Sequence, residues 1–233
     1  MADSVEILVV DDDAEIADLV EIYLCSADYI VHKALNARDG LALIDKYDIK
    51  LAILDIMMPM MDGIEMCRRI RSKKNIPIIM LSAKSADLDK IVGLSAGADD
   101  YITKPFNPLE LTPRVKSQLR RYMELKPNVK KADTNIITIR DIVIDVSKHK
   151  VHVGDREVSL TPIEFDILKL LAGHPDRVFS TDEIFEKVWN EKIYEANNTV
   201  MVHIRRLREK IEKDARNPQV ILTVWGVGYK IES

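Results

Sequence analysis

The chain has 233 residues, enough for two ordinary domains, and its 47% hydrophobic and 31% charged content is that of packed globular protein rather than a disordered or collagen-like chain. The opening MADSVEIL lacks the basic and apolar regions of a secretory signal, and no apolar run approaches membrane-spanning length. Cys25 and Cys67 fit no metal spacing, so a reduced cytoplasmic location without a membrane partner is expected.

Elements in the first half alternate. The runs EILVV (6–10), LAIL (51–54) and IPIIML (76–81) are strand-like, with weaker candidates at YIVHKAL (29–35) and DYIT (100–103). Between the first two strand candidates, Ile16, Leu19, Val20, Tyr23 and Leu24 recur at helical spacing. Alternation of this kind predicts an α/β domain with a mostly parallel sheet, covered on both faces and joined by right-handed crossovers. The polar stretch KPNVKKADTN (126–135) reads as a linker, which divides the chain into 1–122, a linker at 123–134, and 135–233. Beyond it come short strands, then helices opening at capping boxes Thr161–Glu164 and Ser180–Glu183, a third helix from about Asn198 to Lys213, and a terminal hairpin in TVWGVGYKI.

Strands of a parallel sheet end at its ligand-binding edge. Here EILVV runs into Asp11, Asp12 and Asp13, LAIL into Asp55, and the fourth and fifth strands into Ser82 and Thr103-Lys104-Pro105. One acid after a strand is ordinarily a solvated loop residue. Several converging on one edge repel each other and call for a cation, and oxygen-only ligands suit a hard divalent ion such as magnesium. A carboxylate beside such an ion can act as a nucleophile toward phosphorus, with the Lys104 ammonium opposite to pair phosphate oxygens. Met57, Met58, Met60 and Met61 read as loop and rim packing, and the cysteines as small apolar residues.

The combination VVDDD (9–13), LDIMMPMMDG (54–63), MLSA (80–83) and GADDYITKPF (97–106) resembles the receiver domain of two-component response regulators over residues 4–122. The resemblance implies a five-stranded, doubly wound parallel domain phosphorylated on Asp55 by a sensor histidine kinase. It implies Asp11, Asp12, Asp55 and the Met57 carbonyl as the Mg2+ (or Mn2+) site, Ser82 as a phosphoryl hydrogen-bond donor, Tyr101 as a switch residue, and Lys104 as the phosphate partner, its bond to Pro105 cis. It also implies dimerisation through the fourth and fifth receiver helices, with Lys90, Asp99, Asp100, Glu110, Arg114 and Arg121 pairing charges between protomers. Pro113 departs from this pattern: it either kinks the last receiver helix or lies near enough to its start to be tolerated.

The second half is electrically neutral, with 18 basic and 18 acidic residues, yet 203–216 carries six cations against three acids. On the third helix Val200, Ile204, Leu207 and Ile211 form one apolar stripe. Asn198, Thr199, Val202, Arg205 and Arg206 are placed opposite, a set suited either to reading base edges and phosphates or to a solvated face. LTPIEFDILKLL (160–171), NNTVMVHIRRLREKI (197–211) and TVWGVGYKI (223–231) resemble the α+β winged helix-turn-helix output domain of the OmpR/PhoB subfamily over 135–232. That resemblance implies a recognition helix in the major groove of duplex promoter DNA at direct repeats, with Asn198, Thr199, Arg205, Arg206 and Arg208 in contact. It implies a wing carrying Thr223 and Trp225 near the minor groove, where some relatives have arginine, so that Trp225 contacts DNA or packs on its own domain. Trp189 either anchors the loop before the helix or packs in the core.

The family reading is a transcription factor that dimerises when phosphorylated and acts with RNA polymerase, not a turnover enzyme. A metal-dependent phosphatase commonly has a second acid two residues after its nucleophile, and here that position is Met57. An RNA-binding output would need stacking aromatics on a sheet, and the second half has few. ADLVEIYL, LAILDIMMP and the recognition-helix segment are further similar to VanR-type regulators of glycopeptide resistance.

Overall fold

The computed structural model describes residues 5–83, 93–94, 96–124, 136–189 and 197–232. It divides into two compact units, Met1–Tyr122 and Met123–Ser233.

In the first unit, β1 (Glu6–Val10), β2 (Ile30–Ala34), β3 (Leu51–Asp55), β4 (Ile78–Ala83) and β5 (Asp100–Lys104) form one parallel sheet in the order β2-β1-β3-β4-β5. Its central strands β1 and β3 are almost wholly buried because both faces are covered, which explains their unbroken apolar runs. Ile7, Val9, Leu51, Ile53, Ile79 and Leu81 pack under α1 (Ala14–Cys25) and α4 (Pro108–Glu124), the last helix of the unit. The alternate residues, Val10 among them, face α2 (Ala37–Lys46) and α3 (Gly63–Arg71), as the contact of Val10 and Met66 with Gly40 records. The weaker strand signals at β2 and β5 are real strands whose pattern is diluted because each lies at an edge.

Three of the turns leading into helices end on side-chain caps: Asp13 accepts from Glu15 and Ile16 N–H, Asn36 from Asp39 N–H, and Asp62 from Glu65 N–H. Asp13, adjacent to the acids of the rim, therefore serves the helix. Pro113 lies within α4, which continues through it to Glu124.

The second unit opens with an antiparallel meander of β6 (Ile136–Ile139), β7 (Ile142–Asp145), β8 (Lys150–Val153) and β9 (Arg156–Val158). Helices α5 (Pro162–Ala172), α6 (Thr181–Trp189) and α7 (Asn197–Ile211) then enclose one core, and β10 (Ile221–Val224) pairs with β11 (Gly228–Ile231) as the final hairpin. Thr161 and Glu164 form a complete capping box, and Ser180 Oγ accepts from Glu183 N–H at 3.0 Å. The hairpin is fixed to the domain by Phe179 and Tyr229, which exchange two backbone hydrogen bonds of 2.9 Å. A Cβ on Gly228 would fall 1.9 Å from the Phe179 carbonyl oxygen, so only glycine permits this approach.

Candidate functional sites

The register Val10↔Leu54 sets Asp11 and Asp55 level at the carboxyl ends of β1 and β3, the neighbouring strands at which the winding of the sheet reverses. The chain folds back at once after Asp55: Gly63 N–H donates to Ile56 O at 3.1 Å, and a Cβ on Gly63 would lie 2.1 Å from the Asp55 carbonyl oxygen. This tight fold-back holds the acid at the rim. Ser82, buried, follows the Asp55↔Leu81 pair on β4, and Lys104 ends β5, its bond to Pro105 cis. Tyr101 lies half-buried on β5, and Met57 extends a side chain that is 66% exposed.

Lys104 Nζ bridges Asp11 Oδ2 at 2.7 Å and Asp55 Oδ1 at 2.8 Å. Asp11 also accepts from Asp13 N–H at 3.1 Å. Oxygens of Asp11, Asp12 and Asp55 lie within 4.8 Å of one another, so three carboxylates face one ammonium. Burial pushes the Asp55 carboxyl above the usual range, and the charges of Asp11 and Asp12 add to this, against the opposing pull of Lys104. Burial disfavours the Lys104 ammonium, but its hydrogen bonds to Asp11 and Asp55 outweigh that and raise its pKa. Uncompensated negative charge on oxygen donors alone fits a hard divalent cation. Replacing Lys104 by alanine removes the competing charge and is expected to tighten Mg2+ binding at least roughly tenfold: a unit charge about 4 Å away is worth about 4 kcal/mol at an effective dielectric near 20, roughly a thousandfold, and solvent at the 20% exposed Lys104 side chain screens part of it. Titration calorimetry checks it, and unchanged affinity would contradict the electrostatic balance.

The charges assigned to a protomer interface lie differently. Asp99 is fully buried, accepting from Arg71 Nη2 at 2.6 Å and from Ile78 N–H at 2.9 Å. Asp100 is 3% exposed and pairs with Arg114, which also holds Glu110 at 3.0 Å, and Arg121 is 7% exposed. In the single chain Asp99, Asp100 and Arg121 are therefore interior, and Asp99 and Asp100 are each met by an arginine of the same chain. Lys90 lies outside the described residues.

On α7 the apolar stripe Val200, Ile204, Leu207 and Ile211 is buried as expected, but the buried arc is wider than the stripe. Thr199 is 1% exposed, Val202 8% and His203 0%, because α5 and α6 both pack against α7. Thr199 and Val202 are thus covered by their own domain in the free chain. In the free chain the Arg206 guanidinium lies 3.2 Å from the buried Glu164 carboxylate, which Lys210 meets from the same helix at 2.6 Å. Arg208 turns to the hairpin, donating to Ile221 O at 3.1 and 2.6 Å and to Thr223 Oγ1 at 2.8 Å, a strut between helix and wing rather than a free reader of bases. What α7 presents outward is Arg205, 77% exposed beside Glu209, together with Met201, a surface residue that the wheel missed. The side chain of Asn198 lies outside the described residues. Trp189 is a core residue, stacked on Phe185 at 4.8 Å, whereas Trp225 is 90% exposed.

The response regulator receiver domain model matches residues 7–116, and the model for the C-terminal domain of transcriptional regulatory proteins matches 155–231. The chain is 50% identical to Regulatory protein VanR of Enterococcus faecium, over 97% of this chain and 98% of that protein. It is 42% identical to DNA-binding response regulator MtrA of Mycobacterium tuberculosis, over 96% of this chain and 95% of that one. A solved structure of DrrB, an OmpR/PhoB homologue from Thermotoga maritima, aligns over 99% of this chain and 100% of its own with 33% identity and a TM-score of 0.51. With a phosphoacceptor-type carboxylate rim in one unit and a winged helix in the other, the chain belongs to the OmpR/PhoB family of DNA-binding response regulators of two-component systems.

Proposed function

We propose that Asp55 accepts a phosphoryl group from a sensor histidine kinase and that the phosphorylated chain dimerises on direct-repeat promoter DNA. The carrying observation is Lys104, which bridges Asp11 and Asp55 across the acidic cluster. An Asp55 carboxylate oxygen attacks phosphorus; the bond from phosphorus to the kinase imidazole breaks, and the imidazole leaves with the electron pair. Mg2+ or Mn2+ held by Asp11, Asp12, Asp55 and the Met57 carbonyl would supply charge neutralisation for the phosphoryl oxygens. Lys104 then exchanges its bond to Asp55 for a phosphoryl oxygen, Ser82 Oγ–H donates to another, and Tyr101 changes rotamer to follow it. The same groups give self-phosphorylation from small phosphodonors and slow autodephosphorylation, without turnover of other substrates.

A cytoplasmic protein of this kind would work with RNA polymerase at its promoters. The 50% identity to Regulatory protein VanR supports glycopeptide-resistance or cell-wall genes as targets. Acetyl phosphate with Mg2+ is expected to phosphorylate the protein, shift it to a dimer in light scattering and tighten its band shift on duplex DNA. Absence of any dimer after full phosphorylation would refute the switch.

The exposed Arg205 and the paired Arg206 separate readout from architecture. Arg205→Ala is expected to weaken specific duplex binding by about 1–3 kcal/mol with little change in Tm. Arg206→Ala is expected to lower Tm, because it leaves part of a buried ion pair unmatched. The opposite pattern in band shifts and thermal melts would reverse the two assignments.

A further inference from the structure

The lysine and arginine side chains of α7, namely Arg205, Arg206, Arg208 and Lys210, all have partners within the chain, but they are held by different means. Arg205 meets Glu209 one turn along the helix, and both side chains are more than half exposed, so water and salt loosen that pair readily. Arg206 and Lys210 meet Glu164 of α5, which has no exposed surface. Lys210 donates in addition to Ser159 O at 3.1 Å. An ionised carboxylate so placed cannot turn to water when its partners leave, so these two cations are retained where Arg205 is not. One cation is enough to neutralise Glu164. The second is surplus to its charge balance, yet both are drawn inward from the helix that carries most of the basic cluster at 203–216.

We infer that Glu164 acts as an internal stand-in for a DNA phosphate: it engages Arg206 and Lys210, withholds them from the duplex backbone, and so limits sequence-independent binding by α7. This role rests on the DNA-binding reading of α7 and adds what restrains it. A cation contributes to nonspecific affinity by displacing a counterion from the phosphates, and one already neutralised by a buried carboxylate displaces none. Replacing Glu164 by glutamine removes the charge and keeps the cap, because glutamine at the third helical position also closes a capping box with Thr161.

The test follows the full chain by fluorescence anisotropy on a labelled duplex of random sequence, over a range of salt. Glu164→Gln is expected to steepen the slope of log affinity against log salt by about 0.9 for each cation released, about 1.8 for both, and to bind at least roughly tenfold more tightly at low salt. Arg206→Gln is expected to leave the parental slope unchanged, since Arg206 makes no phosphate contact there. In the Glu164→Gln background the same change is expected to remove about 0.9. An unchanged slope in Glu164→Gln with a parental far-UV spectrum would overturn the screening role. So would a loss of about 0.9 in Arg206→Gln alone, which keeps the test decisive if the glutamine variant does not fold. A parent that binds no duplex of any sequence would refute the DNA-binding reading, and the screening role with it.

Discussion

Asp55→Asn is expected to abolish phosphoryl incorporation from acetyl phosphate while leaving the fold intact. The substitution removes the attacking oxygen's charge but keeps the shape of a side chain that is 6% exposed. Its effect on stability has a definite sign. Burial raises the Asp55 pKa in the folded chain, so the native state holds this proton more tightly than the unfolded state does. Between the ordinary carboxylate value and the raised one, stability falls as pH rises, and above both the ionised group is a net cost. Asparagine removes that cost, offset in part because Lys104 loses one of its two partners. At neutral pH in chelator the variant should therefore melt no lower than the parent.

Added Mg2+ separates the two proteins further. At one hundred times its Kd it should stabilise the parent by about 2.7 kcal/mol, and the variant, short of one ligand, by much less at the same concentration. Phosphate labelling of Asp55→Asn, or a parent melting curve indifferent to Mg2+, would refute the acidic rim as the site.

Glu164→Ala is expected to be the most destabilising substitution in the second unit, at about 3 kcal/mol. The carboxylate is fully buried, caps α5 by accepting from Thr161 N–H at 2.9 Å, and meets Arg206 and Lys210 of α7. Breaking a buried pair from one side commonly costs about 3–5 kcal/mol, and loss of a cap about 1 kcal/mol. The lower end applies because Arg206 and Lys210 remain 12% and 30% exposed and can turn to water.

Burial pushes the Glu164 carboxyl upward, but Arg206, Lys210 and the Thr161 N–H outweigh it and hold its pKa below the usual value. Its stabilisation is therefore present above the unfolded carboxylate pKa and lost as pH falls through the lower, folded one. The alanine variant should lack that acid-dependent component. Both tryptophans, Trp189 and Trp225, lie in the second unit, so indole emission during urea unfolding reports this unit selectively. A change below about 0.5 kcal/mol, the scale of an ordinary surface substitution, would refute the role of Glu164.

Periodicity and strand-end chemistry made most of the first unit legible. An oily strand that ends on an acid, repeated at Asp11 and Asp55 and completed by Lys104, locates the rim because side-chain positions at strand ends follow directly from chain order in a parallel sheet. The core stripe of α7 was legible for the same kind of reason, a period of 3.6 residues. Which of the remaining α7 residues face outward was not. A helical wheel ranks positions around one axis, whereas burial depends on the neighbours at each side; α5 and α6 cover Thr199, Val202 and His203 and leave Met201 and Arg205 exposed.

The amino-acid sequence by itself determined the order of elements, the two-domain plan and the convergence of acids on one edge, since these follow from local pattern and chain direction. Only the tertiary structure decided how the charges are used. Glu164 and Arg206, like Arg71 and Asp99, come from distant segments, and the choice between a solvated charge and an internal ion pair is made by a partner that local spacing does not contain.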